Sequence, residues 1–231
     1  MKTFSLILNS RSRPYLLERL LYSLVLTTKD ISQLEILIRL DDDDPSLASS
    51  VAAIEKYSFA TYFIDSRITN VHTSLNELAR KSTGDYIWVM NDDCEIVTKH
   101  WDYHVLELLS LWHEVNGTIC YLHTTDNSCD KGGHKKYSSF PMLTRATFEK
   151  LGYFMHEQFV GLGGDVHLYR IFDKLDCILY TNISVDHVLH RTVEQVCSPD
   201  ATALAMRQNT YAHKIDCWTC DITEDVERVK C

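Results

Sequence analysis

NELARKSTGDYIWVMNDD, residues 76–93, decides the fold. It reads as a helix, a one-residue break at Gly84, a short apolar run from Tyr86 to Met90, and then Asn91, Asp92 and Asp93. Large apolar residues in unbroken succession suit a strand covered on both faces, as in the interior of a mostly parallel sheet. A buried strand that stops at two carboxylates places them at the carboxyl edge of the sheet, the edge where open α/β folds bind ligands.

Upstream, the same rhythm repeats. Residues 3–9 form a β-rich run, and Pro14 opens a helix whose Leu16, Leu17, Leu20, Leu21, Leu24 and Val25 fall at helical spacing. Between them Ser10-Arg11-Ser12-Arg13 is a tight polar loop at the end of the first strand. A second strand, residues 34–40, runs into Asp41-Asp42-Asp43-Asp44-Pro45. Four adjacent carboxylates repel one another, so they are either compensated or splayed into water, and Asp43 and Asp44 read equally well as a solvated turn. A helix over residues 46–57 capped by Ser46, a third strand over 59–64 ending in Asp65, and a helix over 72–81 follow. Four strands alternating with helices predict an α/β protein: a three-layer α/β/α sandwich with a mostly parallel central sheet and right-handed crossovers.

Downstream, Val105, Leu106, Leu108, Leu109 and Trp112 predict a helix over residues 99–114 that covers the sheet. Residues 118–123 read as a strand and 124–139, with Gly132-Gly133, as a long loop. A further strand over 177–185 leads into Asp186-His187-Val188-Leu189-His190, where alternation sets His187 and His190 on opposite faces. Residues 198–214 are helix-like, and Cys217-Trp218-Thr219-Cys220 is half a zinc site at best, so a packed tail is the favoured reading.

At 231 residues and 45% apolar content the chain suits one domain with a sizeable core. The formal net charge of −9 argues against broad binding to nucleic acid or an anionic membrane, and a nucleotide ligand would need help from a metal. The first apolar run is too short for a signal peptide, and no segment approaches a membrane span. Eight cysteines scattered through a chain with its own core read as reduced thiols rather than a disulfide framework, and a cytoplasmic location is expected.

The opening stretch resembles the signature of glycosyltransferases of the A-type (GT-A, Rossmann-like) fold, family 2 in particular: N-x-G-x-x-x-A-x-G-D-Y-I, a few apolar residues, then D-x-D. Asn76, Gly84, Asp85, Tyr86, Ile87 and Asp93 match, while Leu78, Ser82 and Asn91 depart from the pattern. A second stretch, FPMLTRATFEKLGYF followed by Gly164-Asp165-Val166-His167-Leu168, is similar to the acceptor half of the same family, without the usual acids beside Asp165.

The resemblance implies a donor half at residues 1–97, an acceptor half at 98–195 and a tail at 196–231. It gives the donor to Ser10, Arg11, Arg13, Asp41, Asp42, Asp65, Asn76, Asn91 and Asp92, and a Mn²⁺ or Mg²⁺ ion to Asp93 with His187 or His190, of which His187 is favoured. Asn91 offers a carbonyl oxygen but no charge, so Asp93 carries most of the metal binding. Asp165 is the implied catalytic base, although an aspartate at a glycine-rich helix start is also a standard cap. The implied function is metal-dependent, inverting transfer of a sugar from a nucleotide-sugar donor to a hydroxyl of a glycan or other acceptor. A nucleotidyltransferase lacks its glycine- and lysine-rich loop here, and a catalytically inactive carbohydrate- or partner-binding module is favoured by Asn91 and the missing acids.

Overall fold

The computed structural model describes residues 3–126, 136–187 and 217–230. Its first half is built as the periodicity predicts. Strands β1 (Phe4–Ser10), β2 (Leu34–Asp41), β3 (Ala60–Asp65) and β4 (Tyr86–Val89) are linked by helices α1 (Pro14–Thr27), α2 (Leu47–Ile54) and α3 (Val71–Lys81). These strands pair in parallel, β2 with β1 and β3, and β1 with β4. Ser46 precedes α2 but makes no side-chain cap; Asp44 Oδ1 accepts its N–H instead, at 2.8 Å. Gly84 is required by crowding, since a Cβ there would stand 2.8 Å from the backbone of Phe4 and Ser5.

The second half adds β5 (Cys94–Ile96), α4 (Trp101–Asn116), β6 (Tyr121–Asp126), β7 (Met142–Thr144), α5 (Arg145–Leu151), α6 (Gly164–Leu175), β8 (Ile178–His187) and α7 (Thr223–Val229). The strand order is β3-β2-β1-β4-β7-β6-β8-β5, with β7 antiparallel to both neighbours and β5 antiparallel to β8. The sheet is therefore mostly parallel, and its antiparallel strands lie beyond β4. On α4 only part of the expected apolar stripe faces inward. Trp101, Val105 and Leu109, spaced four apart, are buried, whereas Leu106 turns to solvent.

Alternation along the strands divides the interior into two cores. Leu6, Leu8, Ile36, Ile38 and Trp88 pack with Leu17, Leu20 and Leu21 of α1 and Trp101 and Val105 of α4. Their neighbours Ile7, Leu37, Ile87 and Val89 pack with Leu75 and Leu78 of α3 and Leu168 and Phe172 of α6. The result is a three-layer α/β/α sandwich. Among the described residues no helix is long and apolar enough to cross a membrane.

Candidate active site

The chain leaves β1 for β2 on one side and returns to pair β4 on the other, so β1 and β4 flank the point where the strand order reverses. Such a switch opens a crevice at the carboxyl ends of the two strands. There Ser10 Oγ donates to Asp92 Oδ2 at 2.8 Å, and Arg13 Nη1 donates to Asp92 Oδ1 at 3.1 Å and lies 3.7 Å from Asp93 Oδ2. Asp92 and Asp93 are buried, while Asn91 is exposed. Burial pushes the Asp92 carboxyl up to about 6 against the pull of Arg13 and Ser10. Burial works the same way on Asp93, but the hydrogen bond and charge of His187, with Arg13 behind them, outweigh it and hold that carboxyl below its ordinary value.

His187 arrives through the antiparallel pairing of β5 with β8, which sets it opposite Cys94, and its Nε2 lies 3.2 Å from Asp93 Oδ2. Two ligands at right angles about 2.1 Å from one ion sit about 3 Å apart, so these two atoms are spaced as neighbours in a metal shell. A carboxylate with an imidazole is a donor pair that can hold a divalent ion. Cys94 completes a group whose ligand atoms lie within 4.8 Å of one another. Sequence reading missed this thiol, because only the pairing of β5 with a strand ninety residues later brings it to His187. Burial pushes its pKa well up. His190 lies outside the described residues.

The four aspartates after β2 divide between the two fates expected of them. Asp41 is buried, with Oδ2 accepting from Arg11 at 3.1 Å and Oδ1 from the Ile68 N–H at 3.0 Å. Asp42 is exposed, and Asp43 pairs with Arg11 and Arg67 at the surface. Asp44 is not the solvated turn residue that its sequence position suggests. It is buried, and it holds the Ser10–Arg13 loop by accepting from Ser12 N at 2.8 Å and Ser12 Oγ at 3.0 Å. Asp65, paired in register with Asp41, has a largely exposed side chain near Arg39.

Asn76 does not lie open at the donor edge as the motif implied. Fully buried on α3, it donates to Met155 O and Glu157 Oε1 and accepts from the N–H groups of Phe154 and Met155 at 2.8 and 3.0 Å. Those bonds use all four positions of the amide. Asn76→Ala should therefore lose roughly 3 kcal/mol or more in urea unfolding, since it strands buried backbone groups, while nucleotide affinity measured well below the midpoint stays unchanged.

Asp165 sits in the first turn of α6, half-buried, with Oδ1 accepting the Val166 N–H at 2.9 Å. It is not the cap. The N-cap is Gly163, whose φ of +93° puts it in the left-handed region. Gly164 lets α3 approach, because a Cβ there would stand 2.6 Å from Cε1 of His72. Burial holds His72 down to about 4, so it packs as a neutral ring. One turn on, buried His167 lies against Asp225 of α7, Nε2 to Oδ2 3.3 Å, a contact absent from the sequence reading because its partner is 58 residues away. Residues 217–230 of the tail are packed: Val226 and Val229 join the core beneath α6, and Arg170 Nη1 donates to the carbonyls of Cys217 and Cys220 at 3.0 and 2.8 Å, while the helix expected over 198–214 lies outside the described residues. Among the described residues Cys94, Cys120 and Cys220 are free thiols.

No curated protein matches the chain in sequence. Its fold is shared with S. aureus TarS 1-349 in complex with UDP-GlcNAc, at TM-score 0.64 and 11% identity over 99% of this chain and 70% of that one. The mannosyltransferase PcManGT from Pyrobaculum calidifontis, in complex with GDP-Man and Mn²⁺, superposes at TM-score 0.60 and 10% identity, covering 98% and 72%. Against a longer TarS chain the coverage is 97% and 41%. At such identities the likeness shows the fold. The sequence itself goes further: residues 5–166 match glycosyl transferase family 2, and the chain belongs to that family.

Proposed function

We propose that the protein is a metal-dependent, inverting glycosyltransferase that takes a sugar from a nucleoside diphosphate and gives it to an acceptor hydroxyl. The observation that carries this reading is the gathering of Ser10, Arg13, Asp92, Asp93 and His187 at the β1/β4 crevice. The family assignment supports transfer from a nucleotide sugar, and the ligands named for the two neighbouring structures, UDP-GlcNAc and GDP-Man with Mn²⁺, support the donor class and the metal.

In this reading residues 1–97 bind the donor and residues 98–195 present the acceptor. Asp41, held by Arg11 and the Ile68 N–H, keeps lone pairs with which to accept from the base or ribose. Arg11 and Arg13 meet the phosphates, with Ser10 fixing the carboxylate beside them. Asp93 and His187 hold a Mn²⁺ or Mg²⁺ ion, which when bound supplies positive charge to the leaving diphosphate. Asp165, in the first turn of α6, removes the proton of the acceptor hydroxyl as the oxygen attacks the anomeric carbon from the face opposite the diphosphate. The C–O bond to phosphate breaks as the new one forms, and the configuration inverts.

A thermal-shift screen of UDP-, GDP- and CDP-sugars, with and without Mn²⁺, tests the reading. One base should stabilise the fold only in the presence of the ion, by about 2.7 kcal/mol when the ligand stands at a hundred times its Kd. Indifference to every donor in Mn²⁺ would leave a binding module of the same fold as the better description.

A further inference from the structure

The Arg13 guanidinium lies beside the carboxylate oxygen that a divalent ion would use. Its Nη1 lies 3.1 Å from Asp92 Oδ1 and 3.7 Å from Asp93 Oδ2, and Asp93 Oδ2 is the oxygen that His187 Nε2 meets at 3.2 Å. An ion held by Asp93 and His187 would share that oxygen's surroundings with a guanidinium that never loses its charge, and like charges a few Å apart beside buried carboxylates repel strongly. The backbone of Arg13 is fixed, because its carbonyl accepts from Leu17 N–H at 3.0 Å in the first turn of α1. Any exchange is therefore made by the side chain, which is partly exposed.

We propose that Arg13 and the divalent ion are alternative partners of the Asp92–Asp93 pair. Arg13 neutralises the carboxylates when no donor is present, and binding of metal with a nucleoside diphosphate turns the guanidinium from Asp93 onto the phosphates. This rests on the reading that Asp93 holds the metal. Ser10 Oγ, 2.8 Å from Asp92 Oδ2, leaves Asp92 a partner after the exchange. Arg11 meets the phosphates from its own pairs with Asp41 and Asp43, apart from this exchange. The exchange also answers the charge problem of an acidic edge that must receive an anion, because the freed guanidinium moves to the ligand that brings the ion. Metal and nucleotide then bind with positive coupling, equal in both directions.

The test measures Mn²⁺ affinity on the whole protein by electron paramagnetic resonance of the free ion, alone and with saturating UDP or GDP. In the parent the nucleotide should tighten Mn²⁺ binding by about tenfold or more, within the usual range of coupling between sites. Arg13→Gln should bind Mn²⁺ alone about tenfold more tightly than the parent, with the enhancement by nucleotide reduced to what the ion's own attraction for the phosphates supplies. Arg13→Lys, which keeps the charge, should compete with the ion as the parent does and guards against a folding defect in the glutamine variant. Mn²⁺ affinity in Arg13→Gln equal to or weaker than the parent's, with Asp93→Ala still losing the ion, would overturn the exchange and spare the metal reading. Parent-like Mn²⁺ binding by Asp93→Ala would overturn both.

Discussion

Asp165→Asn should slow sugar transfer by about 10²–10⁴-fold while leaving donor affinity nearly unchanged. Asp165 Oδ1 accepts the Val166 N–H, a bond that the asparagine carbonyl oxygen can also make. The N-cap role belongs to Gly163, so no cap is lost. The substitution also removes a negative charge near a helix N-terminus, about 0.3–1 kcal/mol at an exposed site. An amide cannot take the proton of a sugar hydroxyl, so the chemical step bears the effect. Single-turnover rates and donor titrations on both proteins, once a donor and acceptor are in hand, separate the two quantities. Undiminished turnover would remove Asp165 from the mechanism, and with it the reason for calling the transfer inverting.

Asp93→Ala should abolish metal-dependent nucleotide binding, with Mn²⁺ affinity falling by at least about 100-fold, since loss even of an outer-shell partner commonly costs 10–100-fold. Asp93 is the carboxylate that His187 and Arg13 share, and no described residue replaces it: Asn91 is exposed and Asp92 is spoken for by Ser10 and Arg13. Calorimetry with Mn²⁺ and a nucleoside diphosphate reads the loss directly. Binding equal to the parent's would place the metal elsewhere.

The fold was legible because its signals are local. Each parallel strand is a short apolar run ended by polar residues, and each intervening helix carries its stripe at 3.6-residue spacing, so β1 to β4 could be read in order. What was not legible depends on pairing across long separations. The three residues of β5 have no pattern of their own and become a strand only against β8. Asn76 matched a motif and was assigned to the donor, yet its partners begin 78 residues later and no local feature announces them. Asp41 and Asp44 are chemically alike in sequence to Asp42 and Asp43; which pair turns inward is decided by where Arg11 and Ser12 lie in the folded loop. The neighbourhood of Asp93 and Arg13 falls between these cases. The residues could be named from the strand end and the polar loop, but their sharing of one oxygen could not.

The amide of Asn76 has a mechanical meaning beyond its contribution to stability. It rivets α3, in the half assigned to the donor, to the turn that leads into α6 on the other side, with four bonds through one rigid planar group. Gly164 presses the same two helices together where His72 meets the start of α6. A jaw hinged between these helices would have to break both attachments in every cycle. In the reading proposed above, the placement of Asp165 relative to α3 is therefore set at folding, much as a fixed gauge is set before use.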